Sequence, residues 1–394
     1  MRRRGVAVAL AIVATALIWF VVIRGGDSGG GAPGRAPGGE VPASVRDLIG
    51  DLTPEEKVDG ILLLGFDGTE GGALAAQLAE RRLGGVLVDT RNWTDASQLR
   101  SLVAALREAA GRKERIPPLF AAAQEGGPFR AFADLPPAER ALDIGASADP
   151  DLAEDSAREA GIALRKAGFD LDLFPVADVA TLDSPIADRA YSDDASIVAA
   201  MTGAAILGCN AAEVACAPGH FPGQGSASQS TAEGPATVGL DEATLETRDL
   251  APFEAAFQEG APAVVLSHAF YTAYDPVTPA SLSSLVVFDL LRDQLGFRGV
   301  AITDDLGAGA IRARAAAPEE GGGGPSGGSA VTAGAIAALQ AGADMLMISS
   351  PGDQEGVADA LIEAVGRGEV SEDRLDEAVG RVLVLKQQLG LVED

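Results

Sequence analysis

The chain has 394 residues, 47% of them hydrophobic and 22% charged, which is enough for one large barrel or two smaller domains and excludes global disorder. Its 57 acidic and 30 basic residues give a formal net charge of -27, which argues against nucleic acid as a partner. With two histidines and two cysteines in the whole chain, we expect no metal site of the His/Cys type and no cofactor.

The amino terminus predicts a membrane anchor. Three arginines at positions 2–4 precede an uncharged run from Gly5 to Ile23, close to the ~20 apolar residues that a membrane-spanning helix needs. Basic flanks stay cytoplasmic, so we expect residues 1–24 to be a single-pass signal-anchor and the remainder to be extracytoplasmic. Secretion after signal-peptide cleavage is the alternative, although the apolar core of a signal peptide is usually only ~7 to 15 residues long.

Low-complexity segments set the domain boundaries. Residues 25–43 are rich in glycine and proline, which indicates a flexible linker, so the folded domain is expected at 44–394. A second Gly-rich stretch at 315–329 is expected to be a flexible surface loop.

The sequence of residues 44–394 predicts eight strand-helix units. Thr53-Pro54-Glu55-Glu56 predicts a helix start, and apolar residues at helical spacing behind Ser371 predict a core-facing terminal helix. Eight alternations favour a single-domain (β/α)8 TIM-type barrel. A doubly wound sheet is the rival, but Gly65-Phe66-Asp67-Gly68 fits its Gly-rich turn poorly. The predicted strands are 61–66, 85–88, 118–122, 171–175, 214–217, 263–267, 299–303 and 344–348.

Polar side chains follow each predicted strand, where a barrel of this type carries its chemistry. A rim with paired carboxylates and no metal set is typical of glycoside hydrolysis, although composition alone does not separate it from an aldolase or isomerase. The rim residues are Asp67, Arg91-Asn92, Gln124-Glu125, Asp178, His220, His268, Asp304-Asp305 and Ser349-Ser350.

A series of motifs in the same order resembles the family 3 glycoside hydrolases of the bacterial β-N-acetylglucosaminidase type, from about Leu52 to Leu391. The matching segments are L-T-P-E-E-K-V at 52–58, G-F-D-G-T at 65–69, R-L-G-G-V-L-V at 82–88, F-P-V-A-D-V at 174–179, A-D-R-A-Y at 187–191, H-F-P-G at 220–223, D-L-A-P-F at 249–253, P-A-S-L-S at 279–283, G-F-R-G-V-A-I-T-D-D-L at 296–306 and A-G-A-D-M at 341–345.

The resemblance implies that Asp304, the first aspartate of the T-D-D-L motif, is the catalytic nucleophile. A carboxylate held at a strand end suits formation and release of a glycosyl ester. The alternative reading is a helix cap for a helix that begins near Leu306.

The resemblance also implies four substrate-binding residues. Arg189 and His220 match sugar-binding positions, Glu125 belongs to the Q-E-G-G segment after the third strand, and His268 matches a histidine after the sixth. The alternatives are a surface ion pair of Arg189 with Asp188, a half-buried His220 bonded to backbone, and a structural role for His268.

Several positions depart from the family pattern. Ala123 replaces the aspartate of D-Q-E-G-G, Gly219 the lysine before His220, and Ala308 a methionine after the nucleophile motif. In the loop after the fifth strand, Gln224-Gly225-Ser226 replaces H-G-D, and Ser230-Thr231-Ala232 replaces D-S-H, whose histidine is the family's general acid/base. Loss of such a group typically costs ~10² to 10⁴ in rate.

Glu233, one residue beyond the missing histidine, is the replacement acid/base that we predict from the sequence, since a carboxyl desolvated by a closing sugar can donate a proton. A solvent-exposed loop glutamate is the alternative. The function implied is retaining hydrolysis of N-acetylglucosaminide-type glycosides in peptidoglycan material. A catalytically impaired barrel that binds cell-wall glycan or serves as a scaffold is the competing function.

The two cysteines, Cys209 and Cys216, lie seven apart in the sequence. That spacing alone does not place their side chains within bonding range, so we expect two buried thiols.

Overall fold

The computed structural model describes residues 41–111, 116–316 and 329–393. The predicted anchor at 1–24, nearly all of the linker at 25–43 and most of the Gly-rich segment at 315–329 lie outside the described residues. The first helix begins at Ala43, one residue before the predicted start of the folded domain.

Eight parallel strands form a TIM-barrel-like α/β fold, and each lies within a strand predicted from the sequence. The barrel strands are β1 Leu62–Leu64, β2 Gly85–Leu87, β3 Leu119–Ala122, β4 Leu171–Asp172, β5 Ala215–Cys216, β7 Ala263–Leu266, β9 Val300–Thr303 and β10 Leu346–Ile348. Six of them pair in the order β10-β1-β2-β3-β4-β5, and β7 pairs with β9. Parallel bridges Phe221–Leu266 and Ile302–Met345 join these two sets, so the strands close on themselves and the doubly wound alternative is wrong.

Two further short strands, β6 Thr237–Val238 and β8 Phe270–Tyr271, pair with each other outside the barrel sheet. Helices connect the barrel strands. The α-helices are α1 Ala43–Asp51, α2 Pro54–Asp59, α3 Gly72–Glu80, α4 Ala96–Ala110, α5 Ala141–Gly145, α6 Pro150–Ala167, α7 Ala195–Ala212, α8 Glu242–Thr244, α9 Ala251–Gln258, α10 Gly309–Ala316, α11 Ala330–Ala341, α12 Val357–Gly366 and α13 Glu372–Gln388; π-helices cover Leu245–Asp249 and Leu285–Gln294.

Local sequence signals start the helices where expected. Thr53 and Glu56 form a reciprocal capping box ahead of α2, which satisfies backbone donors that the first helical turn leaves free. The Ser371 side chain accepts a hydrogen bond from the backbone of Arg374 at the start of α13.

Alternate residues of the strands face two different cores. Leu63 and Leu119 belong to the cluster inside the barrel, whereas Leu62 and Phe120 pack under the surrounding helices, as the two-residue period of a strand requires. Val382 and Leu385 of α13 join the inner cluster, together with residues at the starts of β7 and β9. Helix α13 therefore covers the amino-terminal end of the barrel, opposite the ends that carry the polar rim.

The expected pair of thiols is wrong, because Cys209 and Cys216 form a disulfide. Helix α7 ends at Ala212, and the next residue, Glu213, has a left-handed backbone (φ 56°) that reverses the chain. The Cα atoms of the two cysteines are therefore 6.1 Å apart. That separation lies in the range a disulfide needs. The bond joins the last turn of α7 to β5.

Among the described residues, one helix, α7, is long and apolar enough to cross a membrane by length and composition. More than half of that stretch is buried, and it packs against α6 and α9. We therefore assign it to the packing of the fold.

Candidate active site

A small cavity of about 140 Å³ lies where the barrel strands end. It brings together three of the side chains predicted from the sequence, Asp304, Arg189 and His220. Its other lining residues are Pro185, Ile186, Gln224, Ala227, Gln229, Ser230, Thr231 and Ala232.

Asp304 follows directly after β9. Its backbone N–H donates to the carbonyl of Leu266 at the end of β7 (3.1 Å), and its Oδ1 accepts from the backbone of Asp305 (2.8 Å). Asp305 instead secures the turn, since its carboxylate accepts from the backbone of Gly307 and from Ser349. Because α10 begins only at Gly309, the side chain of Asp304 does not cap that helix and lies at the cavity.

His220 lies on the loop after β5 and is held by a buried carboxylate. Its Nδ1 lies 2.8 Å from Oδ2 of Asp178, and Asp178 also accepts from the backbone N–H groups of His220 and Gln224. Burial lowers the pKa of His220, but the charge and hydrogen bond of Asp178, with the charge of Asp304, raise its pKa above the ordinary value. The histidine is thus bonded to a side chain, and the reading in which it bonds only to backbone is wrong.

Arg189 forms a two-pronged ion pair with Glu125. Its Nε and Nη2 each donate to one carboxylate oxygen of Glu125, both at 2.7 Å. Burial lowers the pKa of Arg189, but the charge and hydrogen bonds of Glu125, with the charges of Asp178 and Asp304, raise its pKa above the ordinary value. The guanidinium therefore stays charged, and the predicted alternative of a pair with Asp188 is wrong because Asp188 pairs with Arg140.

Glu125 and His268 support the site from outside the cavity lining. Both ring nitrogens of the fully buried His268 are engaged, Nδ1 with Ser281 Oγ (2.6 Å) and Nε2 with the carbonyl of Asp305 (3.0 Å). Burial lowers its pKa below the ordinary value, so it is a neutral group that holds the turn after Asp304. The predicted direct sugar contacts of Glu125 and His268 stay predictions, and neither side chain lines the cavity.

The loop at 230–234 carries the predicted replacement acid. Glu233 is exposed, and it is not among the residues that line the cavity, whereas its neighbour Ala232 is. The loop is pinned by backbone hydrogen bonds from Gly309 to Ala232 and from Ala310 to Thr231. The role of Glu233 stays a prediction, and in this arrangement its side chain is not part of the cavity lining that includes Asp304.

Residues 54–385 match the Glycosyl hydrolase family 3 N terminal domain. The chain belongs to glycosyl hydrolase family 3. A β-hexosaminidase from Stenotrophomonas maltophilia (strain K279a) is 36% identical over 323 residues, which cover 78% of this chain and 88% of that protein. A β-hexosaminidase from Xylella fastidiosa (strain M23) is 37% identical over 321 residues, with the same coverage.

Solved structures agree with this family 3 assignment. A family 3 β-N-acetylglucosaminidase from Paenibacillus sp. str. FPU-7 superposes with a TM-score of 0.77 at 32% identity, covering 87% of this chain and 64% of that chain. A β-N-acetylhexosaminidase from Beutenbergia cavernae DSM 12333 gives a TM-score of 0.74 at 28% identity, covering 86% of this chain and 99% of that chain.

Two residues of this family 3 barrel, Asp178 and Gln224, contact or adjoin the predicted site residues, and their roles were not predicted from the sequence. Asp178 was visible as a polar residue after a strand, but its bond to His220 spans 42 positions and no spacing rule predicts it. Gln224 lines the cavity and accepts a hydrogen bond from Ser267 through its side-chain oxygen (2.9 Å). Among the described lining residues, Asp304 is the only carboxylate, so the carboxylate pair expected from the rim does not line this cavity.

Proposed function

We propose that the chain is a retaining glycoside hydrolase that removes terminal N-acetyl-β-hexosaminyl units from amino-sugar glycans. The observation that carries the proposal is the position of Asp304 at the end of β9, lining one cavity with Arg189 and His220. The β-hexosaminidase relatives, which align over most of their own length, support the substrate class.

The geometry fits a two-step displacement. Asp304 attacks the anomeric carbon to form a glycosyl ester as the aglycone leaves, and water then cleaves the ester with a second inversion, so configuration is retained. The charged guanidinium of Arg189, fixed by Glu125, is a donor for the sugar hydroxyls. A fixed donor loses little entropy when the sugar binds.

The proposal also covers the cellular location of the protein and its natural substrate. A single-pass anchor at residues 1–24 would hold one folded domain outside the cytoplasm, where peptidoglycan fragments supply N-acetylglucosaminides. The Cys209–Cys216 disulfide supports an oxidising compartment, since such bonds are rare in proteins of the cytosol.

A second candidate function is glycan binding without turnover. Ala232 stands where the family pattern has its acid/base histidine, and the described lining residues hold no second carboxylate. Most lining residues are polar, so the cavity is not closed by apolar side chains, which argues against a scaffold without a sugar site. Turnover is what separates catalysis from glycan binding.

The test is hydrolysis of an aryl N-acetyl-β-glucosaminide by the full-length protein in detergent, compared with its Asp304→Ala variant. We expect the variant to lose on the order of 10⁴- to 10⁶-fold in kcat, as when members of other covalent catalytic units are removed. Asp188→Ala at the exposed rim is the matched control and should retain activity. If the wild type binds N-acetylglucosamine but turns over neither the aryl substrate nor a wall fragment, the binding function is correct instead.

A further inference from the structure

Departure of an unactivated sugar alcohol requires a proton donor, and the cavity holds few groups that can supply one. The ionisable side chains among its described lining residues are Asp304, Arg189 and His220. Asp304 must be ionised to attack carbon, and Arg189 keeps its charge through Glu125. His220 is the remaining group.

The environment of His220 matches what a proton-transfer histidine needs. Its Nδ1 is bonded to Asp178, a carboxylate with no solvent exposure. Its Nε2 has no hydrogen-bond partner within residues 41–111, 116–316 and 329–393, and is the ring atom available to the cavity that His220 lines. A buried carboxylate on one nitrogen fixes the ring and its tautomer and leaves the other nitrogen to exchange a proton.

We propose that His220, oriented by Asp178, is the general acid and base of this enzyme, taking over the function that family members place on the loop at 230–232. This inference rests on the proposed function and deepens it. Asp178 acts through His220 and is a positioning residue, whereas His220 touches the reacting atoms.

The proton balance closes over the two steps. In the first, Asp304 bonds to the anomeric carbon, the bond from that carbon to the aglycone oxygen breaks, and the Nε2 proton of His220 moves to that oxygen. In the second, a water oxygen bonds to the anomeric carbon, its proton goes to Nε2, and the ester bond breaks to regenerate the Asp304 carboxylate. The net reaction is hydrolysis of one glycoside by one water.

The charges that face His220 change in the right direction during this cycle. Asp178 and Asp304 raise its pKa and Arg189 lowers it. When Asp304 becomes a neutral ester, one of the charges that raise the pKa disappears, so the pKa of His220 falls and the imidazole stays unprotonated and ready to accept the proton of water in the second step. The same group can therefore donate first and accept later.

The decisive experiment measures kcat/KM of the full-length protein on dinitrophenyl, nitrophenyl and phenyl N-acetyl-β-glucosaminides, whose leaving groups need increasing help from a proton. We expect His220→Gln to lose ~10² to 10⁴-fold on the phenyl substrate and only a few-fold on the dinitrophenyl substrate. Azide should restore turnover of the dinitrophenyl substrate by the variant and yield a β-glycosyl azide.

Two further variants separate catalysis from sugar binding. Glu233→Gln tests the competing acid directly, and Asp188→Ala at the exposed rim is the control that should leave the rates on all three substrates unchanged. Asp178→Asn removes a charge that raises the pKa of His220, so the alkaline fall of its pH–rate profile should move to lower pH. Thermal unfolding of each variant checks folding independently of activity.

The outcomes are distinguishable. An equal loss by His220→Gln on all three substrates would make His220 a sugar contact and overturn the inference, while Asp304-dependent turnover would leave the proposed function standing. A leaving-group-dependent loss in Glu233→Gln would overturn it as well and assign the proton to the loop. Absence of Asp304-dependent turnover on even the dinitrophenyl substrate would overturn the proposed function, and this inference with it.

Discussion

The ion pair with Glu125 fixes the orientation of the Arg189 guanidinium at the cavity. The two hydrogen bonds between them are charge-assisted, and such bonds are the stronger and more directional ones in proteins. A second carboxyl group, that of Asp172 on β4, feels the charge of Glu125. Burial raises the pKa of Asp172 and the charge of Glu125 adds to this rise, whereas a hydrogen bond from the backbone of Gln124 opposes it. The resulting pKa is about 7. The guanidinium of Arg189 is therefore held by one carboxylate, Glu125, whose charge in turn acts on the buried carboxyl group of Asp172.

Glu125→Gln should weaken substrate binding more than it slows the chemical step. Loss of a charge-assisted hydrogen bond costs ~1.5 to 3 kcal/mol, so we expect KM to rise about tenfold or more with kcat changed only a few-fold. Steady-state kinetics on the nitrophenyl glycoside measure both. Asp143→Asn, which breaks the comparable pair with surface Arg140, is the control, and an unchanged KM in Glu125→Gln would contradict the role.

The residues of the site were predictable to different degrees. Asp304 and His220 each sit in a short motif that follows a strand, and a barrel brings strand ends to one rim. Arg189 lies farther along the chain, in the A-D-R-A-Y motif between β4 and α7, and only the resemblance placed it at the site. The partners that set their chemistry were not predictable, because the Glu125–Arg189 pair spans 64 positions and depends on side-chain direction. Cys209 and Cys216 were missed for a similar reason, since the reversal at Glu213 is not visible in the spacing.

At the scale of single elements, the loop at 230–234 is fixed by its contact with the start of α10. A Cβ added at Gly309 would lie 2.4 Å from the carbonyl carbon and oxygen of Glu233, far closer than real atoms approach. Only glycine allows the two backbones to touch at this point. The loop that lines the cavity together with Asp304 is thus held by helix α10, which follows the T-D-D-L motif.

Gly309→Ala should displace this loop. We expect a loss of ~1 to 3 kcal/mol in the free energy of unfolding, typical of overpacking, with a fall in kcat/KM. Denaturant unfolding and kinetics check both quantities. Gly72→Ala in the first turn of α3, where an added Cβ meets nothing within 4 Å, should be neutral or slightly stabilising, and a Gly309→Ala variant as stable as that control would contradict the close packing.

For the molecule as a whole, the amino-terminal end of the barrel contains a buried lysine. Lys386 of α13 is 1% exposed, and burial, opposed by the charge of Asp170, lowers its pKa to about 7. Between about pH 7 and its ordinary pKa near 10.5, the unfolded chain binds this proton and the folded chain does not, so stability rises with pH. Below about pH 7 the folded protein carries the full cost of a buried charge.

Lys386→Met should therefore stabilise the protein at neutral pH. We expect the variant to exceed the wild type by on the order of a few kcal/mol in the free energy of unfolding at pH 7. The difference should shrink toward pH 10, where the lysine begins to lose its proton in the unfolded chain as well. Chemical denaturation across this pH range measures it, with exposed Lys166→Met as control; a pH-independent difference would show that packing alone is responsible.

The barrel architecture was predictable from the alternation of apolar strand segments with capped helices, and all eight strands appear within their predicted ranges. Closure of the barrel was an inference from the count of units, since it depends on bridges such as Phe221–Leu266 between distant segments. The short pair β6 and β8 carried no separate signal, because two-residue strands are too brief for a periodic pattern to show.

The disulfide has a practical consequence for every experiment above. It joins two cysteines that are seven positions apart in the sequence and so links α7 to β5. His220 lies only four residues beyond Cys216. Recombinant protein made in a reducing host cytosol would carry two thiols at that junction, so its kinetic constants would describe a different covalent species. Export to an oxidising compartment, checked by counting free thiols on the denatured product, belongs at the start of any enzymology on this chain.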